Sequence, residues 1–211
     1  MSEPVPYSTN LHDGPVMQFE DIDASLTYSY ANYLNWLFED RVELIKGKIF
    51  KMSPAPSRVH QEISRNIFKP LVNFLDRKIC KVYSAPFDVR FPKKSKADQD
   101  VFTVLQPDIC VICDKSKLDD RGCIGAPDLV VEILSPGNTK MELLNKYQVY
   151  EEFGVKEYWV VSQSDQSILI YTLNDSGKFQ PSKIFTLSEK ITSTVLPGFE
   201  LELDDVFGDL D

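Results

Sequence analysis

Three ionisable residues of this sequence lie within apolar stretches, where an unpaired buried charge costs several kcal/mol. Glu132 lies in "DLVVEILSPG", Asp108 in "VLQPDICVIC" and Lys146 in "LLNKYQVYEEF". Two converging carboxylates are the ligand type that Mg²⁺ prefers, with water molecules filling the remaining positions. A lysine beside them can orient a water molecule and neutralise developing charge, so the three residue types together suit metal-assisted hydrolysis.

The run around Glu132 predicts a central strand from Leu129 to Leu134 that is apolar on both faces except at Glu132. Asp128 lies four residues away on the same face, about 13 Å at roughly 3.3 Å per residue, which is too far to share a small cation. Asp108 lies on another predicted strand, and neighbouring strands are only about 5 Å apart. If those strands pair with Asp108 level with Glu132, the two carboxylates converge, and Asp128 is only a strand-start residue.

The third residue, Lys146, lies on a helix predicted between residues 139 and 154. It falls inside an apolar stripe, three residues after Leu143 and four before Tyr150. One interpretation is a lysine whose stem covers apolar surface while its ammonium group reaches water. The other is an ammonium group directed at the two acids.

The elements that must position these residues mix helices and strands. A short helix is predicted in "SLTYSYANYLNWLFE", and a hairpin in "RVELIKGKIFKMS" turns at Lys46-Gly47. A longer helix runs from His60 to about Lys78, with a kink expected at Pro70. Further strands are predicted near residues 82–91, 105–113 and 129–134, and two more in "KEYWVVSQSDQSILIYTL". This order predicts the α/β class.

Composition limits the class of protein. A chain of 211 residues that is 43% hydrophobic can bury one sizeable core. No apolar run approaches the roughly 20 residues of a membrane span, and the first residues lack a secretory signal, so we expect a cytoplasmic protein with no membrane partner. The four cysteines include one C-x-x-C, but residues three apart on a strand point to opposite faces. We expect reduced, structural thiols at Cys80, Cys110, Cys113 and Cys123.

The net charge of −9 conceals a basic central region, because residues 41–96 contain fourteen Lys or Arg and only four Asp or Glu. Charge asymmetry of this size indicates nucleic-acid contact, with a solvated basic face as the alternative. Basic side chains that neutralise phosphates would supply the binding energy. The candidate phosphate contacts are Arg58, Arg65, Lys93, Lys94 and Lys96.

Seven short blocks follow the order of a known family: "ELIKG", His60, "APFDVR", "QPDICV", "PDLVVEILSP", "K..VY" and "GVKEYWVV", with "LPGF" near the end. Over residues 25–207 the chain resembles the Uma-type endonuclease family of the PD-(D/E)XK nuclease superfamily. The resemblance implies an α+β sandwich with a restriction-endonuclease-like core, in which helices flank a mixed β-sheet, and an N-terminal hairpin. It also makes the chain a candidate homodimer.

The resemblance assigns the strand aspartate of the superfamily to Asp108 and its strand glutamate to Glu132. The superfamily lysine two residues later is absent, since Leu134 stands there, and the lysine of the following helix corresponds to Lys146. The implied cofactor is Mg²⁺, with Mn²⁺ as a substitute, held by Asp108, Glu132 and the carbonyl of Ile133.

Two further residues are candidates for lining the site. Glu43 lies on a predicted hairpin strand, where it either faces solvent or reaches the cleft as an outer ligand. His60 begins the long helix, where it either makes a local hydrogen bond or lies near the metal.

We therefore expect a Mg²⁺-dependent endonuclease that hydrolyses DNA, with Asp108, Glu132 and Lys146 as its catalytic residues. The alternative is a catalytically inactive nuclease-fold protein that binds nucleic acid or regulates a partner. A carboxylate-pair glycosidase would need aromatic sugar platforms beside the acids, and none is evident. The expected organisation is an irregular arm over 1–24, one nuclease-like domain over 25–207 and an acidic tail over 208–211.

Overall fold

A computed structural model describes residues 16–52, 55–135, 140–208 and 210 of the chain. The helices are α1 (Tyr30–Tyr33), α2 (Arg58–Leu75), α3 (Lys140–Phe153) and α4 (Leu203–Phe207). The strands are β1 (Val42–Ile45), β2 (Lys48–Lys51), β3 (Lys81–Ser84), β4 (Val89–Arg90), β5 (Val104–Leu105), β6 (Ile109–Ile112), β7 (Leu118–Asp119), β8 (Gly122–Ile124), β9 (Leu129–Leu134), β10 (Glu157–Ser162), β11 (Ser167–Leu173), β12 (Phe179–Phe185), β13 (Lys190–Thr192) and β14 (Glu200–Glu202).

The central sheet has the strand order β12-β11-β10-β9-β6-β3. Strands β9 and β10 are parallel, and the other neighbours are antiparallel. Val131 and Ile133 of β9 pack in one core cluster with Ile63 and Ile67 of α2. Val130 packs on the opposite face, in a cluster with residues of α3. Because helices cover both faces, β9 is apolar on both, which confirms the predicted α/β class with a mixed, helix-flanked sheet.

The predicted N-terminal hairpin is the β1–β2 pair, which joins a second sheet of order β2-β1-β5-β4-β8-β7. Its turn residues Lys46 and Gly47 both have positive φ, 53° and 78°, as a primed hairpin turn requires. A Cβ at Gly47 would lie 2.2 Å from the side chain of Thr27, so glycine is needed there for space as well as for conformation. Strand β1 carries Glu43 toward the central sheet.

The predicted strand over residues 105–113 is divided into β5 and β6, which lie in different sheets. Pro107, which has no N–H to donate to a ladder, lies in the break. The break leaves Asp108 at the entry to β6, between the two sheets. The region near 82–91 is divided in the same way into β3 and β4.

The prediction that all four cysteines are reduced was wrong for Cys80 and Cys113, which form a disulfide. These residues extend the antiparallel β3–β6 pair, whose register of Lys81 with Ile112 places them opposite one another. The bond joins two strands 33 residues apart, so the C-x-x-C spacing gave no signal of it. Cys110 and Cys123 are buried free thiols.

The chain ends are only partly described. Residues 1–15 of the predicted arm, and Asp209 and Asp211 of the predicted tail, lie outside the described residues. Val16 forms a parallel bridge with Trp36, so this end of the arm is attached to the domain. Within the described ranges, no helix is long and apolar enough to cross a lipid bilayer.

Candidate active site

Asp108 and Glu132 meet where β6 pairs with β9. The antiparallel register of Ile109 with Val131 and Cys110 with Val130 continues to place Asp108 level with Glu132. The backbone N–H of Ile133 donates to Oδ2 of Asp108 over 2.8 Å, which fixes this carboxylate beside β9. Both acids line the same cleft.

Lys146 points into the protein, with 5% of the residue exposed. Its Nζ lies 3.1 Å from each carboxylate oxygen of Glu132. The same Nζ lies 3.1 Å from Oε1 of Glu43. The lysine is therefore directed at the acids, and its stem does not carry the charge out to bulk water.

Glu43 is buried on β1 and connects the second sheet with helix α3. Its Oε1 accepts a 2.9 Å hydrogen bond from the backbone N–H of Gln106 and also contacts Lys146. Of the two alternatives for Glu43, the solvent-facing one was wrong, because the second sheet packs its strand against the cleft.

His60 lies near the start of α2, where its backbone N–H donates to the N-cap hydroxyl of Ser57. Its Nε2 lies 3.3 Å from Oδ2 of Asp108, while its buried Nδ1 has no partner among the described residues. Burial disfavours the charged imidazole, but Asp108, the backbone of Ile133 and the charge of Glu132 together raise the pKa of His60 above its ordinary value. His60 thus makes both its local hydrogen bond and a contact in the cleft.

Tyr150 belongs to the site although the sequence reasoning gave it only a place in the apolar stripe. Its hydroxyl donates to Oε1 of Glu132 over 2.5 Å, one turn along α3 from Lys146. Burial and the negative charge of Glu132 raise the pKa of Tyr150 well above its usual range, so it remains a neutral donor. The spacing of four residues from Lys146 was the available signal.

The cluster carries more negative than positive charge. Burial raises the pKa of Glu132 to about 7; Lys146 opposes this shift, while Asp108 and Glu43 add to it. Burial alone would lower the pKa of Lys146, but the three carboxylates raise it above its ordinary value. Glu132 and Glu43 share the ammonium group of Lys146, while Asp108 faces the imidazole of His60. A cation bound beside Asp108 and Glu132 would relieve the repulsion between the carboxylates.

The cleft has a volume of about 80 Å³, enough for several water molecules. Two lining residues that the sequence reasoning did not name are Arg41 and Gln106. Both lie at or near the start of family-like blocks: Arg41 is two residues before the first residue of "ELIKG", and Gln106 is the first residue of "QPDICV". That position was the only local indication of their place in the site.

The five predicted phosphate contacts lie elsewhere on the surface, and none is among the described residues that line the cleft. Arg58 is paired with Glu62 at 2.8 Å, and Lys93 with Glu152 at 2.6 Å. The remaining three are exposed: Arg65 on α2, and Lys94 and Lys96 on the loop after β4.

The donor atoms fit a hard divalent cation. Carboxylate oxygens of Asp108 and Glu132 and the carbonyl of Ile133 are oxygen ligands of the kind that Mg²⁺ takes, alongside several waters. Oδ1 of Asp108 accepts no hydrogen bond from the described residues, and the side chain is 21% exposed. No three His, Cys, Asp or Glu side chains of the described part form a metal cluster, so water and a backbone carbonyl must supply the other ligands.

Comparison with known proteins agrees with this architecture. The chain is 28% identical over 152 residues to the uncharacterized protein slr1290 of Synechocystis sp. (strain PCC 6803), covering 71% of this chain and 76% of that protein. The fold of the present chain is similar to that in the crystal structure of "a putative nuclease belonging to DUF820" from Anabaena variabilis. The TM-score is 0.68 at 19% identity, and the match covers 87% of this chain and 99% of that one. The sequence model of Uma2, "Putative restriction endonuclease", matches residues 30–204. The chain therefore belongs to the Uma2 family.

Proposed function

We propose that this protein is a Mg²⁺-dependent endonuclease that hydrolyses the phosphodiester bonds of DNA. The observation that carries the proposal is the arrangement of Asp108 and Glu132, level on neighbouring strands in an open cleft, with Lys146 on the second acid. Membership in a family of this description supports a nucleic-acid substrate. An acid pair and a lysine in a cleft large enough for water suit hydrolysis of a phosphate ester.

The residues that would hold Mg²⁺, or Mn²⁺ in its place, are Asp108, Glu132 and Ile133 through its carbonyl. When bound, the cation supplies Lewis-acid polarisation of the phosphate and lowers the pKa of a bound water. The protein keeps these ligands in place with a donor to each: Ile133 N–H to Asp108, and the Tyr150 hydroxyl to Glu132. Fixed donors of this kind orient metal ligands.

Lys146 contributes a fixed positive charge at the same point. Its raised pKa keeps it protonated, so it acts through its positive charge, which neutralises charge developing on the phosphate and polarises the attacking water, rather than as a base. Glu43 helps to hold it, and Gln106 N–H holds Glu43 in turn. The apolar side chains of Met52, Leu134 and Leu143 in the cleft wall limit the access of bulk water.

The second candidate is a nuclease-fold binding or regulatory protein without turnover. It is favoured by the ion pairs of Lys146, which already satisfy Glu132 and Glu43 without a metal. Neither the binding nor the regulatory form of this candidate cleaves nucleic acid, so cleavage is the property that separates it from the endonuclease.

The test is a cleavage assay on mixed single- and double-stranded DNA and RNA with Mg²⁺, Mn²⁺ or a chelator. We expect metal-dependent cleavage of DNA by the wild type and a loss on the order of 10³-fold for Glu132→Ala, since a cation contributes several kcal/mol. Glu200→Ala, which removes an exposed partner of Lys190, is the control and should cleave normally. Binding without cleavage by the wild type would favour the second candidate.

A further expectation concerns the exposed loop after β4. Replacing Lys93, Lys94 and Lys96 with Ala should weaken DNA binding regardless of sequence. It should also make the dependence of log K on log salt shallower by up to about three units, near one for each lost phosphate contact. Replacement of the exposed Lys178, Lys183 and Lys190 is the matched control. An unchanged slope and affinity for the loop variant would move the binding face to Arg58 and Arg65 on α2.

A further inference from the structure

Arg41 has an unusual position among the basic residues of the protein. Of the described residues that line the cleft, only Arg41 and Lys146 are strongly basic, and Lys146 is buried under the acids. Arg41 is exposed, at the start of β1. It is therefore the basic group in the described wall of the cleft that a ligand entering from solvent meets first.

The partner of Arg41 is a neutral oxygen. Its Nε and Nη2 both donate to Oε1 of Gln106, over 3.2 and 2.7 Å. Among the described residues, no carboxylate lies within salt-bridge distance of Arg41, and its Nη1 has no hydrogen-bond partner. One edge of the guanidinium is thus fixed by a neutral oxygen and not by a direct ion pair, which leaves Nη1 able to bind an anion.

A partly buried relay of hydrogen bonds fixes the amide of Gln106 in this orientation. Its Nε2 donates to Oδ1 of Asp88 over 2.8 Å and lies 3.1 Å from the hydroxyl of Tyr33. Asp88 in turn accepts from the hydroxyl of Tyr30 over 3.1 Å. Because the NH₂ group must face the carboxylate of Asp88, the amide oxygen must face Arg41.

Gln106 also links Arg41 to the acids of the site. The backbone N–H of Gln106 donates to Glu43, and Glu43 contacts Lys146. Gln106 therefore sets the position of the exposed guanidinium relative to the buried cluster through two separate groups, its side chain and its backbone.

We propose that Arg41 binds a phosphate of the nucleic-acid strand in the cleft through its free guanidinium edge, and that Gln106 is its positioning residue. This inference rests on the proposed function, since the phosphate belongs to the polynucleotide substrate. It identifies a contact inside the cleft, distinct from the surface lysines and arginines predicted from charge. A carboxylate at position 106 would neutralise Arg41, and the neutral amide avoids this while keeping the hydrogen bonds.

The experiment measures binding of a fluorescein-labelled DNA by fluorescence anisotropy over a series of salt concentrations. A chelator is present, so that the DNA is not cleaved and the readout does not depend on activity. Arg41→Gln should raise the Kd about tenfold or more, because a charge-assisted hydrogen bond is lost, and should reduce the salt slope by about one unit. Arg77→Gln is the matched control. Arg77 is an exposed arginine paired with Asp76 just after the C-terminal end of α2, about 25 Å along that helix from His60, and its replacement should leave both quantities unchanged.

The positioning role is tested with Gln106→Met, which keeps the side-chain length and the backbone N–H but removes the acceptor. Alone it should raise the Kd severalfold without changing the salt slope, because the charge of Arg41 remains. Combined with Arg41→Gln, it should add nothing, since the two residues act through one contact. An equal effect of Gln106→Met in both backgrounds would overturn the positioning role.

Thermal unfolding of each variant shows whether a change in binding comes from a lost contact or from a lost fold. A folded Arg41→Lys variant that has the wild-type salt slope but a lower affinity than the wild type would support a bidentate contact of the guanidinium. Wild-type affinity and slope in folded Arg41→Gln would overturn the inference while leaving the proposed function intact. A wild type that binds no polynucleotide would overturn both.

Discussion

Replacing Lys146 with Met will lower the free energy of unfolding by about 3–5 kcal/mol at pH 8, the cost of removing one partner of a buried ion pair. The change leaves the buried carboxylates of Glu132 and Glu43 with no ammonium group at 3.1 Å. The methionine side chain fills a volume similar to that of lysine, so the loss of stability comes from electrostatics and not from a new cavity. Urea denaturation followed by circular dichroism measures it.

The pH dependence of this loss has a definite sign. Burial raises the pKa of Glu132 to about 7 in the folded wild type, against an ordinary 4.5, and Lys146 restrains the rise. Without Lys146 the folded-state pKa rises further, so the folded protein binds a proton that the unfolded chain releases. Stability is then retained near pH 5 and lost as the pH rises through the folded-state pKa. An equal loss at pH 5 and pH 8 would attribute the effect to packing alone.

Glu132→Gln is the matched variant for this experiment. It removes one of three acids, and Lys146 keeps its contact with Glu43, so the metal-free protein should be as stable as the wild type or slightly more stable. A large loss of stability in this variant would instead show that the Lys146–Glu132 pair is a structural salt bridge.

Local periodicity identified Glu132 on a buried strand face and Lys146 in the apolar stripe of a helix. It left two directions open for Lys146, and it placed Asp108 beside Glu132 only on the condition that their strands pair in that register. The register of β6 with β9 and the contact of Lys146 with Glu132 resolve both points. The repeat of a single element therefore identified the residues, and pairing between distant segments brought them together.

The remaining parts of the site depend on contacts between distant segments. Arg41 meets Gln106 across 65 positions, and Gln106 meets Asp88 because β4 and β5 are neighbours in the second sheet. The hairpin β1–β2 of that sheet was predicted, but β4 and β5 have two residues each, too few to show a periodic pattern of their own. The Cys80–Cys113 bond joins residues 33 positions apart and was missed because it also depends on strand pairing. The C-terminal elements β12 to α4 were not predicted either.

Asp108→Asn should give the largest loss of activity with the smallest change in the fold. The two contacts of Asp108 Oδ2, with Ile133 N–H and with His60, can be kept by an amide oxygen of the same shape, so the stability should change by about 1 kcal/mol or less. Loss of a metal ligand should reduce cleavage on the order of 10³-fold. A folded variant that cleaves at the wild-type rate would remove Asp108 from the mechanism.

The central claim, that Asp108 and Glu132 form a divalent-cation site, is tested most directly by titrating the metal-free protein with Mn²⁺ and following the free ion by electron paramagnetic resonance. We predict at least one bound ion per chain in the wild type and binding weakened about 100-fold or more in Asp108→Asn. Mg²⁺ should displace the bound Mn²⁺. Absence of binding by the wild type, or unchanged binding by the folded variant, would contradict the account.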